Sequence, residues 1–325
     1  MRAIALFSGG LDSILAVALI VKQGIDVTAL YVDIGFGGRV DKTEEMRELV
    51  EKVGADFLKI DIREQFVKDI LFSPVHGYGK NFNPCIDCHA NMFRIAKAMM
   101  PKLDAQFLIS GEVVGQRPMS QNNRAINLVA EFAETDDLLL RPLSAKHLKE
   151  TIPEKEGWVD REKLFGISGR SRKIQFELAK EFGIENFESP AGGCLLTDAY
   201  FTKKIRDFVK FDTFKANDIE SLKFGRHFRL PDGAKLVIGK NAVDNENLKL
   251  SINDKFISLE AVGVKSPFAL LSKNHTEKDL KIALQSVLAH TKAEIEKEYE
   301  VLIDGETRKK SSVGIRDEVR KFAIV

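Results

Sequence analysis

The first strand-like segment of the chain, residues 3–7, runs directly into a loop with two adjacent glycines and then into an apolar, helix-like segment. The loop consists of Ser8, Gly9, Gly10, Leu11, Asp12 and Ser13. Glycine lets a backbone approach a phosphate closely, and the unpaired amides and dipole of a helix N-terminus attract negative charge. The feature therefore predicts an α/β fold whose first strand-to-helix turn binds an anion.

The side chains of this loop add chemistry to the turn. Ser8 and Ser13 offer hydroxyl donors, and Asp12 can hold Mg²⁺ or cap the turn. The Gly-Lys-Ser/Thr ending of a Walker loop is missing from the sequence, so the loop is a phosphate loop of another kind. The alternative is an ordinary glycine-rich turn without a ligand.

Strand-like and helix-like segments alternate through the first half of the chain. The predicted strands are residues 3–7, 27–33, 57–60, 106–110 and 138–141, and the predicted helices are 13–22, 42–53 and 90–100. Apolar strands between helices indicate a doubly wound, mostly parallel sheet with helices on both faces. Ligands of such sheets lie beyond the carboxyl ends of the strands, where Ser8, Asp33 and Gly111 fall.

The length of 325 residues predicts two domains, which we place at residues 1–205 and 206–325. Helical segments are predicted at 161–164 and 174–182. Beyond about residue 200 the pattern indicates a smaller α+β or mostly β domain. Its predicted strands are 227–230, 235–238, 256–260, 268–271 and 299–303, and its predicted helix is 277–292.

Composition constrains the partners and the compartment. No apolar run approaches the roughly 18 residues of a membrane span, and the first strand begins directly after Met1, so we expect a cytoplasmic protein without membrane contact or leader. Residues 201–325 hold 24 of the 49 basic and 19 of the 48 acidic residues. The C-terminal part is therefore the more basic one, a weak indication of nucleic acid.

Three cysteines form the second constellation. Cys85 and Cys88 form a CxxC at a predicted helix entry, where the dipole favours thiolate, and Cys194 follows a glycine pair. An odd count argues against a disulfide scaffold. The set suits redox chemistry, zinc, or an iron–sulfur cluster in which three thiolates leave one iron open. His89 is a candidate fourth ligand, and a coincidental set of buried cysteines is the alternative.

Combined, these motifs resemble a known family. The loop at residues 8–13, the run Asn83, Pro84, Cys85, Ile86, Asp87, Cys88 and the run Gly192, Gly193, Cys194 are similar to motifs of the tRNA thiolation enzymes of the PP-loop ATP pyrophosphatase superfamily. The Asn-Pro-x-x-x-Cys element is similar to that of tRNA 2-thiouridylases. Residues 110–116 and 140–143 are closer to tRNA 4-thiouridine synthases. The three cysteines resemble those of thiolases that bind a [4Fe–4S] cluster.

The resemblance implies an adenine nucleotide alpha hydrolase-like fold that uses ATP and Mg²⁺ to adenylate a uridine carbonyl and replace its oxygen with sulfur. The implied catalytic residues are Asp12, Cys88 and Cys194, and the implied cluster ligands are Cys85, Cys88 and Cys194. The implied ATP site comprises Ser8, Gly9, Gly10, Leu11, Asp12, Ser13, Asp33, Gly111 and Gln116. We expect Arg117, Arg141, Arg170 and Arg172 to bind phosphates of ATP or RNA.

The implied partners are tRNA and a sulfur donor, either sulfide or a persulfide carrier protein. A persulfide on Cys194 or Cys88 is the rival to a cluster. The sequence leaves the oligomeric state open, with a homodimer as one option.

Short basic clusters occur in the second domain at residues 203–206, 226–229 and 308–310. Basic surface supplies most non-specific RNA affinity, although such clusters are commonly solvated faces. Phe228 could stack on a base or face the core. Residues 224–247 resemble the RNA-binding module of ribosome-quality-control factors.

Two other functions compete with tRNA thiolation. A PP-loop ligase or amidotransferase that adenylates a carboxylate would share the glycine loop but leave the three cysteines unexplained. A non-catalytic RNA-binding or iron–sulfur sensing protein would not need the intact Ser8, Asp12 and Ser13.

Overall fold

A computed structural model describes residues 1–117, 120–135, 137–185, 187 and 193–324. The chain divides into two compact units, Met1–Cys194 and Leu195–Val325. The boundary expected from the sequence, between residues 205 and 206, falls inside the helix Ala199–Phe211. The division into units keeps this helix whole within the second unit.

The first unit is built on a five-stranded parallel sheet. Its strands are β1 (Arg2–Leu6), β2 (Asp26–Asp33), β3 (Asp56–Asp61), β4 (Phe107–Ser110) and β5 (Leu139–Leu140), in the order β3-β2-β1-β4-β5. The central strand β1 pairs with β2 on one side and β4 on the other. The predicted doubly wound parallel sheet is confirmed, and its carboxyl edge carries the glycine loop.

Helices cover both faces of this sheet. They are α1 (Leu11–Val21), α2 (Thr43–Lys52), α3 (Arg63–Phe66), α4 (Cys85–Met99), α5 (Asn123–Phe132), α6 (Ile152–Lys155) and α7 (Lys173–Glu181). Because strand side chains alternate between faces, Ala3 and Ala5 of β1 pack into the core beneath α1, whereas Ile4 joins a second core beneath α4 and α5. This alternation explains why residues 3–6 of β1 are all apolar.

Two of the predicted helices differ from the structure. The helix expected to start at residue 90 begins at Cys85, so both cysteines of the CxxC lie on α4 itself. The helix expected at 161–164 is a single 3₁₀ turn, Arg161–Lys163, whose first free amide is capped by the Asp160 carboxylate.

The second unit contains a six-stranded antiparallel sheet in the order β11-β10-β8-β9-β7-β6. Its strands are β6 (Arg226–Arg229), β7 (Lys235–Ile238), β8 (Phe256–Ala261), β9 (Ala269–Ser272), β10 (Glu298–Ile303) and β11 (Thr307–Ser312). Its helices are α8 (Ala199–Phe211), α9 (Ile219–Lys223), α10 (Ala242–Leu250), α11 (Glu277–Ala289) and α12 (Arg316–Arg320). The α11 side chains Leu280, Leu284 and Val287 pack into the core of this sheet. The unit is therefore α+β.

Among the described residues, none of the helices has the length and apolar character needed to cross a lipid bilayer.

Candidate active site

The turn after β1 exposes the start of α1. Gly9 adopts a left-handed conformation with φ of 78°, and Gly10 is extended at the helix N-cap position, with no side chain bonded to the first amides. The Ser13 hydroxyl donates to the Gly10 carbonyl at 2.7 Å, and Ser8 is exposed. The turn thus has the local form of an anion-binding helix N-terminus.

Gly111, just beyond β4, packs directly against this loop. A Cβ atom at this position would lie 2.5 Å from Ser13 Cα and 2.6 Å from the carbonyl oxygen of Asp12. Only glycine lets the end of β4 approach the loop this closely. As a result, the residues that follow Gly111 lie beside the glycine loop.

The loop forms one wall of a cavity of about 280 Å³. Apolar residues of β1, β2 and α4 line one part of it: Leu6, Leu30, Val32, Met92 and Phe93. Polar residues line another part: Ser8, Asp12, Ser13, His89, Glu112, Arg117, Gln121 and Arg172. A pocket with an apolar section and a phosphate loop has the composition expected of a nucleotide site.

Asp12 is the centre of a polar network in this wall. Gln116 Nε2 donates to Asp12 Oδ2 at 2.5 Å, and the Arg172 guanidinium lies 3.5 Å from the same oxygen. Gln175 Nε2 donates in turn to Gln116 Oε1 at 2.9 Å. Burial raises the pKa of Asp12, and the charge of Arg172 and the amide donors oppose that rise. Within the described part of the chain, Asp12 Oδ1 is buried and has no hydrogen-bond partner.

Glu112 lies beside the same cavity and is held in its ionised form. Arg141 Nε donates to Glu112 Oε2 at 2.9 Å, and His89 Nδ1 lies 3.6 Å from Oε1. Burial alone would raise the pKa of Glu112, but the charge of Arg141 and the contact with His89 outweigh it and lower the pKa to about 2. Glu112 therefore remains an anion throughout the physiological pH range.

The two cysteines of the CxxC lie on the first turn of α4. Asn83 Nδ2 donates to Cys85 Sγ at 3.3 Å, and Cys88 is buried. Burial raises the pKa of Cys88 well above its usual value, and the negative charges of Cys194 and Cys85 add to the rise. The three sulfur atoms are thus close enough to interact electrostatically.

This result corrects the expected effect of the helix dipole. The helix entry was expected to lower the pKa of both thiols, yet burial also raises the pKa of Cys85. Among the residues that the structure describes, no group of three or more His, Cys, Asp or Glu side chains is arranged to hold a metal ion. Gly192, part of the predicted Gly-Gly-Cys motif, lies outside the described residues.

The four predicted phosphate-binding arginines have different environments. Arg117 and Arg172 line the cavity, and the charge of Arg117 also acts on Cys85. Arg170 is exposed. Arg141 is only 6% exposed and is bonded to Glu112 and to the Ile126 carbonyl, which differs from the predicted phosphate contact. Its environment is that of a residue that holds Glu112 in place.

Asp33 is not among the described residues that line the cavity, although its neighbour Val32 is. Its carboxylate accepts from the Gly35 amide at 2.8 Å and lies 3.1 Å from Lys59 Nζ. These contacts are those of a residue that caps the carboxyl end of β2.

Sequence reasoning missed Gln175 as part of this region. Gln175 lies on the helix predicted at residues 174–182, and the structure shows that it is fully buried. A glutamine three residues after an arginine carries no periodicity signal of its own. Its partner Gln116 lies 59 positions earlier, so the pairing depends on tertiary structure.

The basic clusters of the second unit are partly structural. Lys204 is buried with Nζ donating to the Leu222 carbonyl, and His227 and Phe228 are also buried. Of the two positions considered for Phe228, stacking on a base and facing the core, the structure shows the second, because the ring packs in the core. Side chains that remain exposed include Lys203, Arg206, Arg308 and Lys310, of which Arg308 pairs with Glu300.

Two family models match separate parts of the chain. Residues 1–155 match the model described as thiamine biosynthesis protein (ThiI), and residues 225–319 match the NFACT protein RNA binding domain. A tRNA-specific 2-thiouridylase MnmA from Treponema denticola is 29% identical over 243 residues, 70% of this chain and 63% of the relative. The corresponding protein of Kocuria rhizophila is 23% identical over 70% of this chain and 61% of its own length.

Across such relatives, the matched region spans as little as 36% of their own length. A 4-thiouridine synthetase–RNA complex with bound ATP is similar at a TM-score of 0.37 and 16% identity, covering 56% of this chain and 51% of that one. A predicted tRNA methyltransferase subunit from Methanocaldococcus jannaschii has a TM-score of 0.36 and 17% identity, covering 56% and 76%. Residues 1–155 are thus similar to the ThiI family model and residues 225–319 to that of the NFACT protein RNA binding domain, as the motifs in the two parts of the chain predict.

Proposed function

We propose that this protein is an ATP-dependent tRNA sulfurtransferase, which adenylates a uridine carbonyl oxygen and replaces that oxygen with sulfur. The observation that carries the proposal is a shared cavity. The glycine loop and the α4 residues that follow the cysteine pair, His89, Met92 and Phe93, line the same space. An adenylating centre and a sulfur-bearing helix are thereby adjacent.

The residues around the cavity have chemistry suited to Mg·ATP. The apolar side formed by Leu30, Val32 and Phe93 suits a purine ring, and the start of α1 suits the phosphates. The buried, unpartnered Oδ1 of Asp12 is the oxygen that would hold Mg²⁺, a metal that prefers carboxylate and phosphate ligands. Bound there, Mg²⁺ would offset the negative charge of the phosphates.

Two chemical steps follow from this assignment. The uridine carbonyl oxygen attacks the α-phosphorus of ATP, and the bond to pyrophosphate breaks. A sulfur nucleophile then attacks the activated carbon, and the carbon–oxygen bond breaks to release AMP. Arg117 and Arg172, which line the cavity, are suited to bind the phosphates because a guanidinium matches two oxygens at once.

The sulfur step is assigned to Cys85, Cys88 and Cys194. Three thiols that interact electrostatically form a donor set of the type that holds a [4Fe–4S] cluster, although the described side chains are not themselves arranged as a metal site. Bound there, a cluster would supply an open iron position for sulfide. A persulfide delivered by a carrier protein is the other source, and its transfer would leave a disulfide that needs a thiol reductant.

Iron and acid-labile sulfide distinguish these two sources. After anaerobic reconstitution, the cluster proposal predicts bound iron and sulfide in the wild type and their loss in Cys194→Ala. If the wild type retains no iron but still thiolates tRNA, the persulfide route holds instead.

The adenylation step is tested through Asp12. Asp12→Asn removes a charge expected to act on the metal–phosphate group. We expect tRNA-dependent release of pyrophosphate to fall roughly 100-fold, because charge stabilisation at such a site is worth several kcal/mol. Unchanged release in this variant would contradict the assignment of Asp12.

We assign tRNA binding to the second unit. The NFACT protein RNA binding domain matches residues 225–319, and exposed lysine and arginine residues of this unit supply positive charge. The region outside that match includes helix α8, which carries the exposed Lys203 and Arg206.

A further inference from the structure

A chain of side-chain amides reaches from the interior of α7 to the glycine loop. Gln175 is fully buried, and its Nε2 donates to Gln116 Oε1. Because this bond occupies the oxygen end of the Gln116 amide, the nitrogen end is turned towards Asp12, where Nε2 donates to Oδ2. Gln175 thus supports the orientation of Gln116 in which the nitrogen end faces the carboxylate.

The two oxygens of Asp12 consequently differ. Oδ2 accepts from Gln116 and lies 3.5 Å from Arg172, and Gln175 also acts on the Asp12 carboxylate as a side-chain hydrogen-bond donor. Oδ1 is buried without a hydrogen-bond partner among the described residues. A buried carboxylate oxygen that is left unpaired is costly unless a ligand completes its environment.

We propose that Gln175 is a positioning residue that acts on the Asp12 carboxylate, in part through Gln116, and holds Asp12 with Oδ1 directed to the metal of bound Mg·ATP. The proposal rests on the proposed use of ATP and adds a residue outside the segment that matches the ThiI family model. Hydrogen bonds to the second oxygen of a metal-binding carboxylate orient the first, and their loss typically weakens metal affinity. Gln175 itself contacts neither metal nor nucleotide in this assignment.

The test compares the Kd of ATP with and without Mn²⁺, a spectroscopically useful substitute for Mg²⁺, on the full-length protein. Gln175→Met keeps the volume of the side chain and removes its donor. The proposal predicts that the gain in ATP affinity produced by Mn²⁺ falls by about tenfold. The Kd of metal-free ATP stays within about twofold of wild type, because the glycine loop itself is unchanged.

A matched control removes a second amide pair of the same unit. Asn91 Nδ2 donates to Gln65 Oε1 at 2.9 Å, and Asn91 is similarly buried. Asn91→Leu is expected to lower thermal stability about as much as Gln175→Met while leaving the Mn²⁺ effect intact. An equal loss of the Mn²⁺ effect in both variants, or equal weakening of metal-free ATP binding, would overturn the proposal.

Gln175→Glu provides a second, polar variant in case the methionine variant does not fold. A carboxylate can only accept, so it draws Gln116 Nε2 away from Asp12, and we expect a loss of the Mn²⁺ effect at least as large. A full Mn²⁺ effect in a folded Gln175→Glu protein overturns the proposal.

The binding assay needs neither tRNA nor a sulfur donor, so it separates this inference from the proposed function. If Gln175 variants lose the Mn²⁺ effect and tRNA is never thiolated, only the sulfurtransferase assignment fails. If the wild type binds no ATP with Mn²⁺, both fail.

Discussion

Gly111 shows how one residue can determine the geometry of the site. Its missing side chain lets the strand end touch the backbone of Asp12 and Ser13, and the next residue, Glu112, then lies at the cavity wall. Glu112 in turn is held by Arg141. The geometry of the site therefore depends on the close approach of Gly111 to the glycine loop and on the buried ion pair between Glu112 and Arg141.

Gly111→Ala is expected to disrupt the loop. The added methyl would overlap the backbone of Asp12 and Ser13, so we expect a loss of about 1–3 kcal/mol in the free energy of unfolding and strongly weakened ATP binding. Urea denaturation and nucleotide titration measure the two effects. Gly38→Ala is the control, because its nearest neighbour would lie 3.9 Å away, in ordinary contact. Normal ATP binding by Gly111→Ala would refute the close packing.

The ion pair of Glu112 predicts a dependence of stability on pH. Its pKa falls from 4.5 to about 2 on folding, so the stabilisation is complete above pH 4.5 and is lost as the pH falls towards 2. A shift of this size corresponds to about 3 kcal/mol. We therefore expect the difference in unfolding free energy between wild type and Glu112→Gln to shrink over this range. A difference that stays constant from pH 5 to pH 2.5 would contradict the assignment.

At the scale of elements, apolar continuity and glycine turns were enough to predict the parallel sheet, because strands buried on both faces are apolar throughout. The start of α4 was not predictable, since its first turn is stabilised from outside the helix: buried Asp87 accepts from the amides of Val75 and His76. Strand β11 was missed because its residues are mostly charged and polar, and its pairing with β10 depends on the neighbouring strand.

The packing of α8 against the second sheet depends on a shared carboxylate. Asp207 of α8 bonds Arg229 of β6 at 2.6 Å and Lys235 of β7 at 3.1 Å, and Lys235 is only 2% exposed. Burial lowers the pKa of Lys235 to about 8, and the Asp207 charge opposes further loss of the proton. The contact between α8 and β7 therefore contains a buried cation, Lys235, which needs the Asp207 carboxylate as its partner.

Asp207→Asn is expected to destabilise the second unit by about 3 kcal/mol, the lower end of the range for removing one partner of a buried ion pair. Thermal and urea unfolding at pH 7 measure the change. Asp232→Asn, which removes a carboxylate from an exposed pair with Lys278, serves as the control and should change stability little. Equal effects of the two substitutions would rule out a special role for Asp207.

At the scale of the whole molecule, the sequence was enough to predict both family matches but not the side-chain pairings of the site. The glycine loop, the cysteine motifs and residues 224–247 predicted both family matches, because such motifs are local in sequence. The pairings of Arg141 with Glu112 and of Gln175 with Gln116 were not predictable, since each joins residues that are distant in the chain. Long-range hydrogen bonds leave no periodic trace in one sequence.

The proposed assignment of tRNA binding to the second unit predicts that its contribution can be separated from ATP binding. Replacing the exposed Lys203 and Arg206 by glutamine should weaken tRNA binding. The slope of the logarithm of the tRNA binding constant against the logarithm of salt concentration should become shallower by about one for each lysine or arginine that contacts a phosphate. Binding of ATP should not change. Lys249→Gln is the control, because Lys249 is already paired with Glu246. If the double variant binds tRNA with the same affinity and the same salt dependence as the wild type, α8 does not contact the RNA.

The central claim is sulfur transfer to tRNA, and mass spectrometry of tRNA nucleosides tests it most directly. The full-length protein, reconstituted anaerobically, is incubated with unmodified tRNA, Mg·ATP and sulfide. The proposed sulfurtransferase activity predicts a thiouridine that forms together with an equal amount of AMP. We expect no thiouridine with the Asp12→Asn or Cys194→Ala variant. Release of AMP and pyrophosphate with no thiolated nucleoside would contradict the account and favour adenylation of another substrate.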